Sequence, residues 1–379
     1  MTSRNDFPNT HFKFSDISPI AVQALGSRSR GGAPCHVPDY IGRGADNIVF
    51  KIVFADSVQW VCRVHASRID ESKAYTAAKI RSTVATMRYI KRFSSIPVPT
   101  VFAHAAEDPG SGLGAGYILM EFLDGEEVDQ RPNALSPTQE NEVYKQLAEI
   151  TCHLARIRFP TIGRLYEDSH GDFIVGPFVD KNGMSYGPFE TAVEFFKYQA
   201  DVIRKRFHTS LPENDERSRR LCDLYDQVAS QLTDYASQTF PLAHGDLGTH
   251  NLLFLRQPDG RLILNAVLDW DSAHTSAWID FGQYPTLLEV RWPAFERGKY
   301  SAFVLESILR KQCAFMEGIK SCENIEPDTG IEGHKLSELI DSAAVRVAEF
   351  FLLYGNPEER VDVEMLMKYV KAWRGDWAT

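Results

Sequence analysis

The chain has 379 residues, 44% of them apolar, which is enough to bury a sizeable core in two or three structural units. Its formal charge is -10, from 41 Lys and Arg against 51 Asp and Glu, and this argues against a general nucleic-acid binder. Met1 to Ser29 lacks the apolar core of a secretory signal, and no stretch approaches a membrane-spanning length. The six cysteines (35, 62, 152, 222, 313 and 322) form no CxxC pair, so a cytosolic, reduced protein without membrane contact is expected.

The charge is unevenly spread. Residues 63–92 carry Arg63, Arg68, Lys73, Lys79, Arg81, Arg88, Lys91 and Arg92 against Asp70 and Glu71, a local +6 that leaves -16 elsewhere. Most of these cations are expected on a solvated helix face. The acidic remainder suits a cationic acceptor or plain solubility.

In chain order, residues 1–35 are rich in Ser, Arg, Gly and Pro and are expected to be an irregular extension. Ile48 to Phe54 and Val58 to Val64 are β-branched and aromatic runs separated by Ala55-Asp56-Ser57, which reads as a hairpin. Ile80, Val84, Met87 and Ile90 then recur on one helical face until Pro97 and Pro99 stop it. Gly116 to Phe122 is a third strand, so three strands and one helix are expected here. Ser136, Pro137 and Gln139 spell a helix start with a capping box, and Val143, Leu147, Ile150, Leu154 and Ile157 line one face. Further helices are expected over about 189–207 and 217–232. A hairpin follows, Leu252 to Leu255 and Leu262 to Leu268 about a turn at Gln257 to Gly260. A last amphipathic helix is expected from Leu336 to Phe351, capped by Gly355 and Pro357.

One segment carries chemistry. His244-Gly245-Asp246-Leu247-Gly248-Thr249-His250-Asn251 leads into the second hairpin, and Asp269 stands at its end in Leu268-Asp269-Trp270. A base, an amide and a carboxylate in this order are the parts of phosphoryl transfer, where the protein's work is positioning and charge neutralisation. Asp246 would orient an attacking hydroxyl, and Asn251 and Asp269 would hold Mg²⁺. His244 is the third residue of interest on this loop, read more readily as holding it than as a base.

With these residues the chain resembles the aminoglycoside phosphotransferase family, which shares the protein-kinase-like fold, over roughly residues 38–300. Ile41 to Phe50 resembles its phosphate-covering loop, Ile96-Pro97-Val98-Pro99 the turn before its hinge, and Tyr117 to Gly125 its adenine-binding hinge. Ile162 to Tyr166 and Gly187-Pro188-Phe189 resemble the fungal branch. The resemblance implies an α+β fold of two lobes: after the extension 1–35, a small β-rich lobe over 36–123 and a larger, mainly helical lobe over 124–379. It implies ATP and Mg²⁺ as cofactors and a small-molecule hydroxyl acceptor, with no nucleic acid or membrane partner; the oligomeric state stays open.

The resemblance also implies that Gly42, Gly44, Asn47 and Arg63 steady the phosphates and that the backbone from Glu121 to Leu123 bonds adenine. An ordinary turn at the glycines, and a solvent-facing Arg63, are the plain alternatives. Where the family carries a glutamate before Val84-Ala85-Thr86-Met87, this chain has Thr83, and a hydroxyl cannot neutralise a guanidinium. Arg63 then leans on phosphates, finds another carboxylate such as Glu71, or serves a weakened nucleotide site. Asp271 is open between assisting a second metal and capping its loop. Asp280, in Asp280-Phe281-Gly282, lies too far along to be the metal carboxylate and reads as an acceptor-site or structural group. A protein kinase is disfavoured because Gly248 stands where a lysine belongs. The alternatives in function are a kinase-like binding protein without turnover and a metal-dependent hydrolase using His244, Asp246 and His250.

Overall fold

The computed structural model describes residues 17–210, 237–285 and 301–342, apart from positions 39, 44, 45, 67, 108, 109, 129–134, 327, 328 and 332, together with 219, 223 and 288. The chain divides into two compact units: Met1–Asp129 with Arg164–Tyr186 and Thr249–Ala273, and Gln130–Gly163 with Gly187–Gly248 and His274–Thr379.

The first unit is built on an antiparallel sheet. Its strands are β1 (Cys35–His36), β2 (Tyr40–Arg43), β3 (Asn47–Phe54), β4 (Gln59–His65), β5 (Val101–Ala105) and β6 (Tyr117–Glu121), in the order β1-β3-β4-β6-β5 with β2 also on β3. Three strands were expected and six are present. Alternation along the strands sorts the side chains. Ile48, Phe50, Ile52 and Phe54 of β3, Trp60, Cys62 and Val64 of β4, and Tyr117 and Leu119 of β6 form one core. That core also takes Val22 and Leu25 from helix α1 (Pro19–Ser29).

Helix α1 overturns the irregular extension expected over these residues: Ser18 stands at its N-cap, Pro19 opens it, and Val22, Leu25 and Gly26 repeat on one face. The opposite parity of the sheet, including Ile118, packs on helix α2 (Lys73–Phe93) through Ile80 and Val84. Arg63 lies on β4 one residue from both Cys62 and Val64 and so falls on the α2 face, where it is 8% exposed; it does not face solvent. The solvated face expected of the cation-rich stretch holds for Lys73, Arg81, Lys91 and Arg92, while Lys79 is buried.

This unit also takes in the pairs β8 (Arg164–Glu167) with β9 (Phe173–Gly176), β10 (Phe178–Val179) with β11 (Ser185–Tyr186), and β13 (Leu252–Arg256) with β14 (Leu262–Val267). The last is the hairpin expected from the sequence. Its Glu126–Phe254 bridge and the Val267 N–H to Pro97 carbonyl bond (2.8 Å) tie it to residues distant in sequence.

The second unit is mainly helical, around the short strands β7 (Arg158–Phe159), β12 (Phe240–Ala243) and β15 (His274–Thr275), ordered β15-β12-β7. Helix α3 (Pro137–Arg156) opens with the expected capping box of Ser136 and Gln139 and buries Val143, Leu147, Ile150 and Leu154. Helix α4 (Ala192–Ser210) falls near the expected span, whereas the helix expected over 217–232 lies outside the described residues. The last described helical run is Leu336–Ile340, and the chain turns at Asp341-Ser342, within the helix expected there; the rest of that pattern lies outside the described residues.

Helix α3 packs on the long helix Ala302–Ile325 in one register: Glu140 meets Arg310, Lys145 meets Glu317, and Arg156 meets Glu326. Gly318 permits the approach. A Cβ there would stand 2.6 Å from Ala148 Cβ and 3.2 Å from Lys145 Cα, so the helices must move apart to admit it. Overpacking costs about 1–3 kcal/mol, against roughly 1 kcal/mol gained in helix propensity. Gly318→Ala is therefore expected to lower stability by about 1 kcal/mol, read as an earlier midpoint in denaturant unfolding.

Candidate active site

The first unit gathers a charged cluster about the end of the β13–β14 hairpin. Leu252 pairs with Val267, and the Leu268 N–H donates to the Asn251 carbonyl at 2.8 Å, so Asn251 and Asp269 leave the hairpin at the same end. Asp269 then takes a left-handed conformation (φ 59°, ψ 62°), which starts the 3-10 turn Trp270–Ser272. Positive φ is tolerated better by Asp than by most residues and is worth noting at a candidate site. Trp270 anchors the turn, 1% exposed, with its indole N–H on the Val267 carbonyl at 3.0 Å.

Arg63 sits against this turn. Its Nη2 donates to Asp269 Oδ1 at 2.8 Å and Asp271 Oδ2 at 2.7 Å, and its Nη1 donates to Asp271 Oδ1 at 2.8 Å. The Thr83 hydroxyl lies 2.9 Å from Asp271 Oδ1, Asn47 Nδ2 3.3 Å from Oδ2, and Lys79 Nζ 3.6 Å from Oδ2. Lys79 also holds Asp46 at 2.7 Å. Asp271 therefore does not cap its loop, and its oxygens are given over to cations and donors. Glu71 is not the partner of Arg63: it accepts the Arg68 N–H at 3.0 Å and faces His65 at 3.6 Å.

Burial alone would push the Asp271 carboxyl up, but the charges of Arg63 and Lys79 and the Arg63 hydrogen bonds prevail and hold it well below the usual carboxylate range. Arg63 shifts the complementary way: burial lowers its guanidinium, and Asp271 and Asp269 more than offset this.

Other residues singled out from the sequence are placed as follows. Gly42 lies in β2, opposite Val49. Gly44 is outside the described residues. Asn47, at the start of β3, is 9% exposed, with its amide on Asp271 and its Oδ1 3.4 Å from His65 Nδ1. The Glu121 carboxylate accepts from the Thr100 N–H and hydroxyl at 3.0 and 2.8 Å. The N–H groups of Glu121 and Phe122 go to the carbonyls of Thr100 and Gln59; Leu123, next along, makes no backbone–backbone hydrogen bond among the described residues.

Asp246 and His244 belong to the second unit, just past β12, on a loop that turns at Gly245 (φ 81°). His244 is 1% exposed. Both line a cavity of about 170 Å³ with Thr151, His274, Asp280 and Tyr284. Asp280 is anchored there by the Ser276 hydroxyl at 2.7 Å and Gln283 Nε2 at 3.0 Å, with His274 Nε2 3.7 Å away.

The cluster about Arg63 includes Lys79 and gives Asp271 its role, neither of which the sequence reading identified. Lys79 had a signal: it stands four residues before Thr83, hence on the same helical face. The sequence marked Asp271 as a candidate but not as the partner of Arg63, which stands 208 residues away.

The two residues expected from the sequence to hold a metal are Asn251, whose amide nitrogen lies 3.2 Å from His250 Nε2, and Asp269, whose side chain is 48% exposed. Among the described residues no group of three or more His, Cys, Asp and Glu is arranged to hold a metal ion. Two hard oxygen donors suit an ion that completes its shell with water and phosphate oxygens, as Mg²⁺ does. No described helix is long and apolar enough to cross a membrane.

A segment is 31% identical over 149 residues to a subtelomeric hrmA-associated cluster protein of Aspergillus fumigatus, covering 36% of this chain and 28% of that one. Another match is 30% identical over 132 residues to Altered inheritance of mitochondria protein 9, mitochondrial, of Candida tropicalis, covering 33% and 21%. The matches thus span under a third of these relatives' own length. A solved structure, a candidate fructosamine-3-kinase from Thermobifida fusca YX-ER1, matches with a TM-score of 0.50 over 92% of this chain and 99% of that chain at 14% identity, a likeness of fold alone. The profile of the phosphotransferase enzyme family (APH) matches residues 40–302, well over half of the chain, and the chain belongs to that family.

Proposed function

We propose that this chain is a small-molecule kinase that transfers the γ-phosphoryl group of ATP to a hydroxyl. The observation that carries the reading is the placement of the buried Arg63 guanidinium 2.8 Å from Asp269, a phosphate-pairing cation beside a metal carboxylate. Mg²⁺, when bound by Asn251 and Asp269, supplies charge neutralisation at the phosphates. Arg63 clamps phosphate oxygens through its planar fork, and the segment that carries Gly42, Gly44 and Asn47 covers the phosphates. The backbone from Glu121 to Leu123 meets the base, and Leu123 makes no backbone–backbone hydrogen bond among the described residues.

Asp246 orients the acceptor hydroxyl and receives its proton, and His244 supports the loop. The cavity about Asp246 and Asp280 takes the acceptor. Thr83 no longer argues for a weakened site, because Asp271 supplies the carboxylate Arg63 needs. Cytosolic placement belongs to the same reading, with the mitochondrial names of relatives as the alternative; fractionation of cells expressing the tagged chain decides it.

The test is a thermal-shift titration with ATP and GTP, with and without Mg²⁺, followed by a panel of hydroxyl acceptors scored for nucleotide consumption. Nucleotide at a hundred times its dissociation constant is expected to stabilise the chain by about 2.7 kcal/mol. No shift with either nucleotide at millimolar concentration would sink the kinase reading.

A further inference from the structure

A buried guanidinium is placed by whatever carries its counter-charge, because leaving it unpaired costs several kcal/mol. For Arg63 two carboxylates are in reach, and they are not equivalent. Asp269 offers one oxygen and its side chain is half exposed, whereas Asp271 grips both Nη1 and Nη2 and its side chain is 14% exposed.

Counting lone pairs sets what else Asp271 can do. A carboxylate has about four acceptor sites. Arg63 takes one on each oxygen, Thr83 adds to Oδ1 and Asn47 to Oδ2, with the Lys79 charge 3.6 Å away. Such a group has no ready site for a cation. It is a fixed anion, and its support comes from β3, β4 and α2 together.

We propose that Asp271 is the positioning residue for Arg63, with Thr83 as its partner on α2, so that the phosphate-facing cation is set by the same Asp269-Trp270-Asp271 segment that carries the metal carboxylate. The proposal rests on the kinase reading for what Arg63 is positioned to bind. Thr83 has one hydroxyl hydrogen and two acceptors at 2.9 Å, Asp271 Oδ1 and the Lys79 carbonyl; the charged one is the stronger. The Arg164 guanidinium adds a 2.7 Å bond to the Asp271 carbonyl and so fixes its backbone. Under this arrangement α2 contributes a hydroxyl and an ammonium to the anchor, while the anion itself comes from the turn. Displacing the helix would leave the Arg63–Asp271 pair in place.

The experiment labels the full-length chain with phenylglyoxal, maps Arg63 by peptide mass spectrometry, and measures ADP affinity without metal. Asp271→Asn is expected to make Arg63 several-fold more reactive and to weaken metal-free ADP binding by about ten-fold, the scale of a lost charged hydrogen bond. Asp271→Ala combined with Thr83→Glu returns a carboxylate from the helix side with little net change in volume, and both readouts move back toward wild type. Thr83→Val lies between, and Thr83→Ser, which keeps the hydroxyl, stays closer to wild type than Thr83→Val does.

The proposal is overturned if Arg63 stays unreactive in Asp271→Asn, if the swapped carboxylate restores nothing, or if Asp271→Asn loses only Mg²⁺-dependent binding, which would make Asp271 a metal ligand. Should Asp271→Asn fail to fold, equal labelling of Thr83→Val and Thr83→Ser would overturn it. If wild type binds no ADP while labelling follows the stated order, the Asp271 assignment stands and the kinase reading falls.

Discussion

Asp246→Ala is expected to lower kcat by about 10²–10⁴-fold, the usual contribution of a positioned general base, with nucleotide affinity little changed. The size follows from the lack of a substitute. Asp280 lines the same cavity, but the Ser276 hydroxyl and the Gln283 amide hold its two oxygens in place, so it is not free to swing into the position of Asp246. Steady-state transfer to an accepted hydroxyl compound, measured beside nucleotide affinity, separates the two effects. Full activity in the variant would remove Asp246 from the chemistry.

Arg63→Met is expected to cost about 3–5 kcal/mol of stability, because it strips a buried anion of its main partner. Lys79 and Thr83 remain on Asp271, which points to the lower end of that range. The pH dependence has a definite sign. The Asp271 carboxyl is held below its ordinary value when folded, so its contribution is complete above the unfolded aspartate value of about 3.9 and is lost as pH falls through the folded value. In the variant the depression shrinks. Denaturant curves should therefore show the gap between wild type and Arg63→Met widest near neutrality and narrowing below about pH 4. A gap that is constant down to pH 2 would mean that Asp271 is not the group responsible.

What the sequence disclosed and what it hid divide along the reach of the signals. The Ser136 capping box, the β13–β14 hairpin and the block from His244 to Asn251 are written in neighbouring residues, and each appears where its local chemistry put it. Helix α1 had a local signal too, in Ser18-Pro19 and the spacing of Val22 and Leu25, but the glycines and arginines around it mask the pattern. Strand β5 had none: Val101-Phe102-Ala103-His104-Ala105 lacks clean alternation and is a strand because β6 pairs with it. The partner of Arg63 was hidden for a similar reason. The family pattern directs attention to Thr83, twenty positions on, whereas the charge that matters is brought in by a hairpin end more than two hundred residues later.

The three-part make-up of the first unit bears on how it comes to be made. A growing polypeptide presents Arg63 and Lys79 early, with the sheet and α2 that would enclose them, while Asp269 and Asp271 leave the ribosome only after most of the second unit's early segments. Until then, closing the sheet over the guanidinium would strand a charge in a dry place. The nascent first unit is therefore expected to complete late, when Thr249–Ala273 arrives. A fragment ending at residue 129 would contain nearly all of the sheet's hydrophobic core and still lack the anions that let it shut.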